Sequence, residues 1–471
     1  MSVEWLSIVP FIIVIGFSIW LKRILPGLVL GVLTGSILLK SGWLSGSDQA
    51  VTYMVETLSD ETNIKIIGFL YLFGGLVGMM TIAGGIKGFS EWAGGKIHSQ
   101  RGLLTLIWLT LPFTFMMPMF RIMMIGPVVK SLLGKWNISR QKVGFTMDVS
   151  TSSVIVLLPV ATAFVGFMVS LVENGIHKNA LEWSAYSVFL MSIPFNFFAI
   201  IMLIFGLART FWPSEENRKK QYKAEGDEAH PFHRSSINKE LSLVKAQPWN
   251  LIIPLFLLLG LSLFLLWQDG RTKGAKSVFD AFTQADATFV MLLAVFLTLT
   301  VTFLFYAIRK LPLHELLFHF IDGGNQMMQA IILLILVWAL SLNAEDLGFS
   351  QFVSSTLGGF LPAFTVPAIL FVLGSLVGYF IGSSWGTWGL FMPLGFSLAA
   401  ATDAPIVMTV GAVFASGSFG AMTSPLGDTT ITTASIMELS LVEYAYYKLK
   451  FCAVGAGAAA LLYLAAGLFL T

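Results

Sequence analysis

The stretch VPAILFVLGSLVGYFIGSSWGTWGLFMPLGFSLAAAT, residues 366–402, contains no Asp, Glu, Lys or Arg and is interrupted once, by Gly382-Ser383-Ser384-Trp385-Gly386-Thr387. It is too long for one membrane crossing, which takes about 20 residues, and its middle consists of residue types that interrupt helices. Non-helical backbone at membrane depth is tolerated only where protein or a watery cavity satisfies its polar groups. The stretch therefore reads as a re-entrant hairpin whose turn lies inside the bilayer.

The rest of the chain agrees with that solvent. Of its 471 residues, 56% are hydrophobic and 11% charged, against about 45–50% and about 25% in soluble domains. Apolar runs predict ten crossings, near 6–21, 25–44, 64–86, 143–172, 184–208, 249–268, 287–308, 325–344, 405–436 and 449–470. A second long apolar region, 103–134, is split by Pro, Gly, Ser and Arg and reads as another hairpin. The first run, Leu6 to Leu21, follows Glu4 and has no small-residue cleavage site, so it reads as a retained span rather than a signal peptide. The formal net charge of +2 is small and dispersed, which argues against a nucleic-acid surface. Cys452 is the single cysteine, so an internal disulfide and a cysteine-rich metal site are both excluded.

Between residues 209 and 247 the chain turns polar, with eight Lys/Arg and six Asp/Glu, and reads as a cytoplasmic linker. It separates a first repeat, 1–208, from a second, 248–471. Each half runs three spans, a split hairpin, a broken span with polar residues and a final span. Five crossings per half is odd, so the second half must enter the membrane inverted. The expected fold is thus an all-α polytopic membrane protein with about ten transmembrane helices and two re-entrant hairpins in two inverted-topology repeats. Sorting the loops by this topology puts twenty-one Lys/Arg on the linker side and six on the other. The positive-inside rule then predicts a cell-membrane protein with both termini extracellular.

The polar islands carry the chemistry. The broken span reads Thr423-Ser424-Pro425-Leu426-Gly427-Asp428-Thr429-Thr430. Interrupted helices leave free carbonyls and helix ends, and hydroxyls with one carboxylate supply the oxygens a hard cation needs. Asp428, Thr387, Ser384, Ser424 and Thr429 are the expected cation ligands, and Ser383 in the hairpin turn is expected to serve substrate or proton coupling. An acid at membrane depth is disfavoured by about 2.5–3.5 kcal/mol and is a functional candidate by default. The structural alternative for Asp428 is a helix-capping acid. Trp385 and Trp388 are read as packing the hairpin against its neighbours, and the methionines of 116–124 as flexible filling.

Gly382 to Thr387 and Ser424 to Thr430 resemble the G-T-S-W-G-T and S-P-x-x-D-T-T signatures of the NhaC family of sodium/proton antiporters. In the first half Gly126-Pro127, Ile138-Ser139-Arg140 and Asp148-Val149-Ser150-Thr151 are similar to that family's G-P, I-S-R and D-S-T elements. The resemblance implies that Asp148, with Ser150 and Thr151, is the partner of Asp428. It also implies sodium and protons as transported or coupling ions, and no organic cofactor. The match departs at the first hairpin, where Met117, Pro118 and Arg121 stand where many members carry two acids and an Asn. Arg121 then either pairs with Asp148 or Asp428 or clamps an anion. Asp148 itself has a plainer reading, as a solvated acid at a span's end beside Lys142.

Two transport functions follow, a sodium/proton antiporter and a sodium- or proton-coupled carrier of a small organic anion or amino acid. Membrane lipid is the surrounding partner, and a homodimer is compatible with either. A passive channel is the remaining non-enzymatic rival, separated by stoichiometric coupling. Enzymatic readings fail on spacing. His314 and His319 are five apart, not the four of a helical zinc site, and are read as part of a loop or interfacial turn. Pro425-Leu426-Gly427-Asp428 has Pro where intramembrane aspartyl proteases have Gly, and the chain has no Tyr-Asp partner.

Overall fold

The structure, a computed structural model, describes residues 4–85, 88, 99–111, 118, 121–122, 125–126, 129–130, 133, 139–160, 162–178, 181–211, 247–357 and 361–470. The turn of the first hairpin, with Met117 and Pro127, and most of the linker, 212–246, lie outside them. The first half forms α1 (Val9–Leu21), α2 (Ile24–Lys40), α3 (Trp43–Ser59), α4 (Glu61–Ile82), α5 (Gln100–Leu109), α6 (Arg140–Ile155), α7 (Ala163–Lys178), α8 (Ala185–Ser192) and α9 (Phe197–Phe211). The second half begins with α10 (Trp249–Thr272), α11 (Val278–Gln284), α12 (Ala287–Ile308), α13 (Leu313–Gln326), α14 (Met328–Asp346) and α15 (Phe349–Leu357). It ends with α16 (Val366–Ile381), α17 (Ser384–Thr402), α18 (Ile406–Thr423), α19 (Asp428–Met437) and α20 (Leu441–Leu470).

Among the described residues, seven helical segments are long and apolar enough to cross a membrane, or eight when the bent pair α8 and α9 counts as one. The chain is an all-helical polytopic membrane protein. Several boundaries differ from the sequence reading. Trp43–Ser59 forms a helix where no element was expected, because its Ser, Asp, Gln and Glu break the apolar run while its buried face, with Tyr53, packs inward. His314 and His319 lie on α13 rather than in a loop or interfacial turn; α13 packs along α4, with Gly323 in backbone contact with Gly74. The last helix starts at Leu441, eight residues before the expected span. Lys142 and Lys448, counted above as loop cations, are buried side chains of α6 and α20, which leaves nineteen against six.

The second hairpin is read directly from its backbone. Gly382 closes α16 with φ +73°, a left-handed conformation in which a side chain is strained, and its N–H donates to Gly378 O at 2.8 Å. Ser383 then caps α17 by accepting from Gly386 N at 3.2 Å. Contacts pair Gly374 with Ser416, Gly378 with Gly420 and Gly382 with Leu426. The numbers rise together on both sides, so α16 and α18 run parallel and end side by side. Only glycine permits that seam, since a Cβ on Gly420 would stand 2.5 Å from the Gly378 carbonyl carbon. Away from the site, Glu438 joins Lys130 at 2.8 Å and Arg140 at 2.6 Å. These bonds, Lys130's first, hold its carboxyl below the usual carboxylate range.

The seam gives a contrast to measure. Gly420→Val should destabilise the protein by about 1–3 kcal/mol through overpacking. Gly260→Ala, on α10 with nothing within 4 Å of the added carbon, should be neutral or stabilising by up to about 1 kcal/mol. Thermal unfolding of the detergent-solubilised variants checks both, and equal loss in the two would reject the close approach.

Candidate functional site

The parallel pairing of α16 and α18 brings four helix ends together, because only two residues separate α16 from α17 and only four separate α18 from α19. The two finishing helices turn their carbonyl ends, the negative end of each dipole, toward one place. The polar side chains at this crossing are arranged mainly by backbone bonds. Ser384 Oγ donates to Gly417 O at 3.0 Å and Thr387 Oγ1 to Ser383 O at 2.9 Å. A hydroxyl that donates to a carbonyl keeps its lone pairs for a cation. Ser424 Oγ accepts from Leu426 N at 3.0 Å, and Thr429 Oγ1 is buried without a hydrogen-bond partner. Asp428 is exposed, in the first turn of α19, and its side chain makes no capping bond; Gly427 is the N-cap residue.

A buried ion pair lies further along α19, at Thr430 and Thr433. Asp148, on α6, is wholly buried and accepts three side-chain hydrogen bonds. Thr433 Oγ1 donates to Oδ1 at 2.5 Å, while Tyr444 OH and Lys448 Nζ donate to Oδ2 at 2.8 and 2.6 Å. Lys448 is equally buried and also donates to Thr430 Oγ1 at 2.7 Å. Asp148 is thus an interior ion-pair member, not a solvated acid beside Lys142. Thr430 connects this pair to the crossing, because its hydroxyl lies 3.3 Å from where a Cβ on Gly427 would be. A polar path therefore runs from the broken span through Thr430 and Lys448 to Asp148.

Ser150 and Thr151 bond back to Met147 O, at 3.0 and 2.6 Å, rather than to Asp148. Arg121 is wholly buried; Nη1 donates to Thr151 Oγ1 and, at 3.3 Å, to Met147 O, and Nη2 donates to Ile107 O. It forms an ion pair with neither Asp148 nor Asp428. Trp388 is buried with Nε1 donating to Phe414 O at 2.9 Å, and the Phe164 ring lies tilted against Trp385 with centroids 4.3 Å apart. A recess elsewhere, between α7, α14 and α17, is lined by Asn174, Lys178, Ser341, Glu345 and Phe396 and holds none of these residues.

Sequence reasoning missed Lys448, Tyr444, Thr430 and Thr433 as partners of Asp148. One signal was present. Tyr444 and Lys448 stand four apart, on one helical face, at the start of the last apolar run.

Similar proteins support these elements as a transporter fold. The family described as the Na+/H+ antiporter family matches residues 154–468, which include Asp428 and Lys448 and begin after Arg121 and Asp148. An uncharacterized protein of Haemophilus influenzae is 26% identical over 480 residues, covering 98% of this chain and 90% of that protein. The crystal structure of the Alcanivorax borkumensis YdaH transporter, described as having an unusual topology, superposes with a TM-score of 0.58. That match covers 90% of this chain and 88% of the other at 11% identity, a likeness of fold.

Removing one member of a buried ion pair leaves a charge without its partner, which costs about 3–5 kcal/mol. Lys448→Met should lower the thermal midpoint strongly. Asp148→Asn combined with Lys448→Met should recover much of the loss, and a strictly additive double variant would show that the two do not interact.

Proposed function

The chain belongs to the Na+/H+ antiporter family, whose match spans more than half its length, and from that premise we propose that this transporter exchanges sodium for protons by alternating access. The observation that carries the reading is Asp148, a buried carboxylate already holding a cation, Lys448, at 2.6 Å. A sodium ion and an ammonium are competitors for such an oxygen. When sodium takes Asp148, Lys448 is left in a dry interior with its own charge uncompensated, and releasing a proton restores the balance. The reverse sequence expels sodium. Charge balance in a low-dielectric interior thereby ties one ion's movement to the other's.

In this reading the helix crossing is the cation's route to Asp148. Asp428 attracts the ion at the exposed end, and oxygens of Ser383, Ser384, Thr387, Ser424 and Thr429 replace its water. The adjacent carbonyl ends of α16 and α18 favour positive charge there. Alternating access then requires the crossing to open to each side in turn, as inverted repeats do by rocking against each other. The charge distribution between loops favours an orientation with both termini outside and the linker inside.

The test is sodium-gradient flux in proteoliposomes with internal pH recorded. Asp148→Asn should abolish coupled exchange in a protein that still inserts, since the amide keeps the volume but neither holds sodium nor pairs with Lys448. Asp428→Asn should impair it by reducing ion capture, and Thr387→Val should raise the sodium requirement more mildly. Normal exchange in Asp148→Asn would remove this site from the mechanism. Orientation is checked separately in intact cells with an impermeant thiol reagent, which should label Ser277→Cys and spare Ser235→Cys.

A further inference from the structure

Interior charge does not balance around Arg121. Its side chain is wholly buried, yet among the described residues no carboxylate lies within ion-pair distance of it. Asp148 attracts it through space but makes no contact with it, because Thr433, Tyr444 and Lys448 occupy the Asp148 oxygens and Lys448 offsets its charge. The surrounding chain offers no substitute. Residues 92–147 contain seven Lys/Arg and not one Asp or Glu. The C-terminal dipole of α5, felt through Ile107 O, offsets only part of a full charge.

The hydrogen bonds of Arg121 are incomplete in a specific way. Nη1 donates to Thr151 Oγ1 and Met147 O, two oxygens only 2.6 Å apart. Nη2 donates to Ile107 O, and Nε has no partner at all. Nε and Nη2 together form the side edge of the guanidinium, the edge that grips both oxygens of a carboxylate in parallel, and the Nε corner of that edge is open. A buried cation with an unpartnered Nε offers an anion both charge and a donor.

We propose that the Nε/Nη2 edge of Arg121 binds a small monocarboxylate, a second solute site that does not rest on the sodium/proton reading. One uncompensated charge matches a monoanion. A dicarboxylate would bring a second charge with no described cation to meet it. Met147 O and Thr151 hold the guanidinium to α6, the helix that carries Asp148, so a bound carboxylate and the ion-pair site would report to one helix.

Calorimetric titration of the purified full-length protein with propionate tests this, with chloride and inorganic phosphate as comparison anions. Wild-type protein should bind propionate saturably and chloride not at all. Arg121→Lys, which keeps the charge but loses the fork, should weaken binding about tenfold or more, and Arg121→Gln should remove it. Absence of saturable propionate binding in the wild type overturns the proposal, as does unchanged binding in the Lys variant. Phosphate bound as tightly as propionate would overturn the carboxylate assignment. If Arg121→Gln does not fold, the wild-type thermal midpoint decides: a saturable rise with propionate supports the site and a flat response rejects it. Sodium/proton exchange measured on the same preparation keeps the readings apart. Propionate binding without exchange leaves this site and removes antiport; exchange without binding does the reverse.

Discussion

A carboxylate and an ammonium 2.6 Å apart in an interior closed to solvent hold three helices to one arrangement. Each ion taken out of water carries a desolvation penalty of several kcal/mol, recovered only when its partners are placed well. Asp148 comes from α6, Lys448 and Tyr444 from α20, and Thr430 and Thr433 from α19. None of these can shift without leaving a buried charge or hydroxyl unmet. The half that carries Asp148 and the half that carries Lys448 are thereby fastened to each other at their most polar point.

The break between α18 and α19 follows from that constraint. The break at 424–427 interrupts one long span, 406–437, and the helix beyond it, α19, carries Thr430 and Thr433 to Lys448 and Asp148. The turn is seated on the hairpin by the contact between Gly382 and Leu426, and the glycine seam below it lets α16 and α18 lie parallel. Parallel neighbours place like dipole ends together, and the starting ends of α17 and α19 bring the opposite dipole ends to the same crossing. The same small residues that permit close packing therefore set where these four ends meet. Packing and chemistry are one feature at this crossing.

Arg121 is less completely matched. Its Nη atoms bind carbonyl and hydroxyl oxygens of α5 and α6, which fixes its position, but neutral oxygens do not cancel a formal charge. Among the described residues, Asp148 and Lys448 thus form a neutral buried pair, while Arg121 has no carboxylate within ion-pair distance.

Composition and hydropathy sufficed to identify a membrane protein, because a bilayer imposes length and polarity on each segment independently of every other. The hairpin at 366–402, the break at 424–427 and the candidate Asp428 were legible for the same reason: Gly, Pro and an acid inside apolar runs are local signals. Trp43–Ser59 was not, since an amphipathic helix with several polar residues looks like a loop to a test for continuous apolarity. Nor was the meaning of Lys448. A lysine at the edge of a span reads as an interfacial cation, and nothing in its neighbourhood says that an acid 300 positions earlier will be brought against it. Which acid is paired, which is exposed and which arginine is left with an unpartnered nitrogen are properties of distance and burial, and these exist only once the helices have packed.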